Sequence, residues 1–273
     1  MITEPVRVSA DWLSLREPAD AAARATAVVA EIASFLPLGA VTIHDLGSGS
    51  GAMGRWLAGR LSGPQHWVLY DRDDDLLATA AADPPGMSLD GRRVTVETRR
   101  RDITRLAPEE LAGAALITSS AVLDMMTAEE LERLIATCAA QRCPVLLPLN
   151  VTGHVEITPS EPFDHDVADA FNAHQRRVTP GGRLLGPAAV EAAVTGFTRL
   201  GMDLQIHTTH WRLGPDHAAL AAEWFRGWLA PACEQRPELS AEAPAYARRR
   251  AAQAAAGTLR VTVEHADLLA RPR

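Results

Sequence analysis

Val41-Thr42-Ile43-His44-Asp45-Leu46-Gly47-Ser48-Gly49-Ser50-Gly51 is an apolar run that closes on an acid and continues into glycines at every second position. Such a run reads as a β-strand turning into a helix, because glycine permits positive φ and admits a ligand where a Cβ would block it. The helix that follows, Ala52 to Arg60, turns its N-terminal amides toward that ligand. The stretch reads as the nucleotide loop of an α/β domain.

Two cofactor classes fit the glycines. Gly49, Gly51 and Gly54 satisfy the G-x-G-x-x-G spacing of dinucleotide folds, which keeps an NAD(P)-dependent oxidoreductase open as an alternative. Charge separates the two. Asp45 stands two residues before the first glycine and would repel a pyrophosphate lying on this turn. S-adenosylmethionine has no phosphate and carries a sulfonium and an ammonium against one carboxylate, so the same acid attracts it. The Asp-x-Gly-x-Gly-x-Gly run resembles the first motif of class I S-adenosylmethionine-dependent methyltransferases.

The segments after the loop alternate as they do where parallel strands are covered by helices. Strands are expected at His66 to Tyr70, Arg93 to Glu97, Ala115 to Thr118 and Pro144 to Leu149, and helices at Asp73 to Ala82 and Thr127 to Gln141. Thr127 and Glu130 have the spacing of a capping box. From Asn150 to Gly186 the pattern is interrupted by an excursion holding a strand-like stretch, His154 to Ile157, and a helix from about Asp166 to Arg177. A helix from Pro187 to Leu200 returns to the sheet, followed by strands at Met202 to Thr208 and Thr258 to Glu264, with helices around 216–234 and 241–255 between them. The resemblance implies a Rossmann-like seven-stranded, mostly parallel α/β sheet with helices on both faces, an antiparallel last strand and extra helices capping the site. Residues 1–40 are expected to form an N-terminal helical cap, with one helix over Ala19 to Phe35. Residues 41–273 form the methyltransferase domain, with insertions at about 150–186 and 214–256.

The chain has 273 residues and a formal net charge of −7, so it offers no general attraction to nucleic-acid phosphates. Its start has no basic segment followed by an apolar core, and no stretch approaches the roughly 18 uncharged residues of a membrane helix. A cytoplasmic protein with a small-molecule substrate, no nucleic-acid partner and no membrane partner is expected, with a homodimer as the oligomeric state to test. Three cysteines without zinc-like spacing suggest neither a disulfide nor a metal site.

The resemblance also distributes roles. Asp45, Gly47, Ser48, Gly49 and Gly51 form the loop. Asp71, with Arg72 beside it, ends the second strand, where an acid accepts the ribose hydroxyls of an adenosine. Asp102 and Ile103 follow the third strand and would hold the adenine, although Asp102 could instead pair with Arg99, Arg100 or Arg101. Ser119 and Ser120 follow the fourth strand near the methionine part of S-adenosyl-L-methionine, and Asp124 lies where the methyl-transfer channel runs. No Asn/Asp-Pro-Pro-aromatic sequence follows that strand, which argues against methylation of base amines. Trp12, Arg16, Asp124, Asn150 and Asn172 are candidate acceptor contacts. Methyl transfer requires chiefly positioning and desolvation of the acceptor, with a base optional; His154 and His174 are the candidates, with His210 and Trp211 expected beyond the sixth strand. Trp224, Phe225 and Trp228 are read mainly as core of the added helices. A cofactor-binding protein without turnover is a third reading.

Overall fold

The computed structural model describes residues 8–273. Seven strands form one sheet in the order β3-β2-β1-β4-β5-β9-β8. β1 (Val41–Leu46), β2 (Gln65–Asp71), β3 (Val94–Arg100), β4 (Leu116–Thr118) and the start of β5 (Val145–Thr158) pair in parallel. β9 (Arg260–Arg271) runs antiparallel between β5 and β8 (Asp203–Leu213). A hairpin of β6 (Val178–Thr179) and β7 (Gly182–Arg183) stands apart.

The inner parallel strands are buried on both sides, and the two-residue period of a strand sends alternate side chains to opposite cores. Val68, Tyr70, Val145 and Leu147 join one core with α5 (Ala128–Ala139) and α7 (Ala189–Arg199). Trp67, Leu69 and Leu146 join the other with α2 (Ala27–Phe35), α3 (Ala52–Ala58) and α4 (Asp74–Ala82). α5 shows why its segment is a helix: the capping box at Thr127 and Glu130 is formed, and Leu131, Leu134, Ile135 and Cys138 recur on its buried side.

A third core lies beyond the parallel strands. It packs α6 (Phe163–Gln175), α8 (Ala218–Gln235) and α9 (Ala243–Ala255) against the far ends of β5, β8 and β9, and Trp12 and Leu15 of α1 (Ala10–Ala23) border it. The insertions thus share one apolar layer.

Three expectations need correction. The single helix over Ala19 to Phe35 is two helices, α1, which also holds Trp12 to Arg16, and α2, because Arg24 is buried between them and Asp267 captures the Ala25 amide at 2.8 Å. β5 does not stop at Leu149 but continues to Thr158 through two register shifts, at the first of which Leu149 adopts φ +60. β8 extends through Leu213, so His210 and Trp211 are strand residues, held there by the long ladder with β9.

Candidate functional site

Strand β1 delivers Asp45 and the glycine loop to the carboxyl end of the sheet. Gly47, Gly49 and Gly51 have φ of +69, +53 and +84, the left-handed conformations that favour glycine. A Cβ on Gly47 would stand 3.1 Å from Val122 and 3.4 Å from Ile103, and one on Gly49 would stand 3.0 Å from Leu13. The loop is therefore covered by α1 and flanked by the turns after β3 and β4. Glu17 of α1 pairs with Arg55 of α3 at 2.6 Å, and the Trp56 indole donates to the Ala21 carbonyl, fastening this cover.

The centre of the site is a buried cluster of charges. Asp45 is 1% exposed and accepts a 2.7 Å bond from the Thr118 hydroxyl through Oδ1, while Oδ2 has no partner among the described residues. Burial pushes its pKa up to about 6, with Thr118 and Arg24 acting in the opposite sense. Arg24 is 4% exposed, and its Nη2 reaches Ser120 Oγ at 3.5 Å, but Nε and Nη1 have no hydrogen-bond partner among the described residues. Burial lowers its pKa, against the attraction of Asp20, Asp45 and Asp267. The hydroxyls of Ser48 and Ser50 are likewise buried and unpaired. A group with unmet hydrogen bonds in such a place is costly unless a ligand supplies them.

Sequence reasoning missed Arg24, since an arginine in an alanine-rich helical stretch reads as a solvated residue. It missed Asp267 too. Asp267 is 1% exposed and accepts from the amides of Ala25 and Leu149, both at 2.8 Å, and from the Thr209 hydroxyl at 3.2 Å. It ties the helix break to the bulge of β5.

Asp71 and Asp102 stand at the ends of β2 and β3, on the other side of the loop. The Asp71 carboxylate accepts from the amides of Gly49 at 2.9 Å and Asp73 at 3.0 Å; Arg72 beside it is exposed. Asp102 caps a short turn, accepting from the Thr104 amide and hydroxyl, and lies 3.5 Å from Arg105. Arg99, Arg100 and Arg101 pair instead with Glu97, Asp74 and Glu110. Ser119 is buried and donates to the Leu46 carbonyl, joining β4 to β1 at the loop.

A second polar group lies beside the cluster. Arg16 makes a bidentate pair with Asp20 at 2.9 and 3.1 Å, and its guanidinium lies 4.9 Å from the Trp211 ring centre and 5.9 Å from that of Trp12. Trp211 donates to Asp20 at 3.0 Å. Asp124 is half-buried after β4 and receives Gln175 Nε2 at 3.5 Å. Burial raises its pKa, opposed by the charges of Arg16 and Arg177. His174 of α6 has its pKa lowered by burial and then by Arg177.

The remaining candidates have other partners. His154 is exposed and 3.3 Å from Glu156, so no buried environment prepares it as a base. Asn150 is buried and donates its side-chain nitrogen to the carbonyls of Leu147 and Ala266, while its Oδ1 has no partner among the described residues, and Asn172 donates to the Gly153 carbonyl at 2.9 Å. Among the described residues no His, Cys, Asp and Glu side chains group as metal ligands, and no helix is long and apolar enough to cross a membrane.

No family model matches the chain, and a search of curated proteins finds no match. Solved structures do match in fold. The cyclopropane synthase MmaA2 from Mycobacterium tuberculosis is 16% identical, with 97% of this chain and 95% of that chain covered and a TM-score of 0.50. The mycolic acid cyclopropane synthase CmaA1, complexed with SAH and CTAB, is 13% identical, with 88% and 83% covered and a TM-score of 0.47. Magnesium protoporphyrin IX methyltransferase from Synechocystis PCC 6803 with bound SAH is 13% identical, with 75% and 83% covered and a TM-score of 0.44. The sheet order with its antiparallel ending is that of the class I methyltransferase fold.

Proposed function

We propose that the chain is an S-adenosylmethionine-dependent methyltransferase acting on a small molecule. The observation that carries this reading is the pair of buried, incompletely bonded charges beside the glycine loop, Asp45 and Arg24. A free amino-acid end presents an ammonium and a carboxylate. Asp45 Oδ2 is suited to accept from the first, and Arg24 Nε and Nη1 are suited to donate to the second. Asp71 and the Ile103 side chain on the other side of Gly47 suit the ribose and the adenine. The pair does not suit a dinucleotide pyrophosphate, because Asp45 would oppose it.

The cofactor supplies a methyl group on a positively charged sulfur, which is already a good leaving group. What remains for the protein is alignment and exclusion of water. α1 covers the loop through Leu13. Asp124, with its proton affinity raised by burial, is suited to receive a hydrogen bond or proton from an acceptor in line with the methyl carbon. His174, half-buried on α6, is the histidine whose setting best suits a base.

Calorimetry with S-adenosylhomocysteine and with NAD tests the reading. Binding of the former in the micromolar range with no response to NAD is expected. Tight NAD binding with no response to S-adenosylhomocysteine would overturn it in favour of an oxidoreductase. Binding without transfer of labelled methyl to any of a broad set of amines, phenols and acids would leave a cofactor-binding protein without turnover.

A further inference from the structure

A cavity of about 200 Å³ opens between α1, α6 and α8, lined by Trp12, Phe171, Glu223, Trp224, Gly227 and Trp228. Four of these six are aromatic, and one is an acid. Trp224 and Trp228 stack at 5.2 Å with their planes 19° apart, as residues four apart on one helix do. Glu223 pairs with Arg226 on its own helix, and no lysine, arginine or histidine lines the cavity.

Gly227 is an exposed residue of the 18-residue helix α8, where glycine favours the helix less than alanine does. A Cβ there would meet nothing within 4 Å, so a larger side chain at this lining position would enter the cavity without a clash.

Two helices carry both the cavity and neighbours of the site. Trp12 and Arg16 are four residues apart on α1, as Phe171 and Gln175 are on α6, and Gln175 Nε2 donates to Asp124. Residues four apart on a helix are about one turn, ~6 Å, from each other, so the cavity wall on α6 lies one turn from the residue that touches Asp124.

We propose that this cavity binds an alkylated ammonium head and so anchors an acceptor that carries such a cation. Aromatic faces attract a weakly hydrated cation through their quadrupoles, with indole the strongest, and a carboxylate at the wall adds to that attraction. The fit of cavity and head stands on the geometry of α1, α6 and α8; its assignment to the acceptor rests on the methyltransferase reading.

The probe is choline, titrated by calorimetry against its neutral isostere 3,3-dimethyl-1-butanol, with S-adenosylhomocysteine titrated separately. Saturable choline binding at least tenfold tighter than the isostere is expected. Gly227→Leu, which fills the space without a clash and favours the helix, should weaken choline at least tenfold while its thermal melt is not lowered. Equal binding of choline and isostere would overturn the cation, and undiminished choline binding by Gly227→Leu would overturn the location. Loss of S-adenosylhomocysteine binding with choline binding intact would refute the proposed cofactor alone, and the converse result would refute the cavity's ligand alone.

Discussion

The Thr118 hydroxyl donates a 2.7 Å hydrogen bond to Asp45, the one side-chain bond that the buried carboxylate receives among the described residues. β1 and β4 are adjacent parallel strands with these two residues in register, so the sheet itself makes the contact. One bond does not offset the loss of water, and the pKa of Asp45 rises to about 6.

This sets a pH dependence. The folded protein holds a proton on Asp45 between about pH 4 and 6 where the unfolded chain does not, so this group's contribution to stability falls as pH rises through that window. An ammonium ligand needs the ionised acid, so affinity for S-adenosylhomocysteine should run the other way and fall up to tenfold per unit below pH 6. Calorimetry from pH 5 to 8 checks this. Asp45→Asn should bind weakly at every pH and lose the slope; a slope kept by that variant would assign the titration to another group.

Arg24→Met should weaken S-adenosylhomocysteine by roughly tenfold to a hundredfold, since a hydrogen bond to a charged group contributes about 1.5–3 kcal/mol. Adenosine lacks the carboxylate, and its affinity should change less than threefold. If both ligands lose affinity equally, Arg24 serves the fold of the loop and does not hold the carboxylate.

Asp267→Ala leaves the amides of Ala25 and Leu149 without their acceptor. Each unpaired buried donor costs about 1–3 kcal/mol, so a destabilisation of about 2–5 kcal/mol is expected in urea unfolding. A loss under 1 kcal/mol would mean that the helix break and the β5 bulge are held by other contacts.

Gly49→Val puts a branched side chain at φ +53 and 3.0 Å from Leu13 Cδ1. Both the backbone and the cover of α1 must give way, and S-adenosylhomocysteine binding should fall more than tenfold. Binding at the normal affinity would show that the loop is not the cofactor's seat.

Local patterns were legible wherever a few neighbouring residues decide the outcome. The apolar run of β1, the positive φ of the glycines that follow it and the Thr127–Glu130 capping box all depend on near neighbours. The helix break at Arg24 was not legible, because alanines on both sides favour helix and the competing partner, Asp267, lies 242 residues away from Ala25. The outer half of β5 was legible only as the separate strand-like stretch His154 to Ile157; its continuity with Leu149 was hidden for a related reason, because the join runs through two register shifts held by pairing with β9.

By itself the sequence determined the strand, loop and helix of the candidate site, and the acid that sets its charge, since backbone freedom and residue type act within a few positions. Only the tertiary structure decided what faces that acid. Arg24, Asp20, Arg16 and Asp124 come together through the docking of α1 and α6 on the sheet, and the aromatic cavity forms where α1, α6 and α8 meet. Charge and burial at such meeting points depend on distances in space, which no spacing along the chain records.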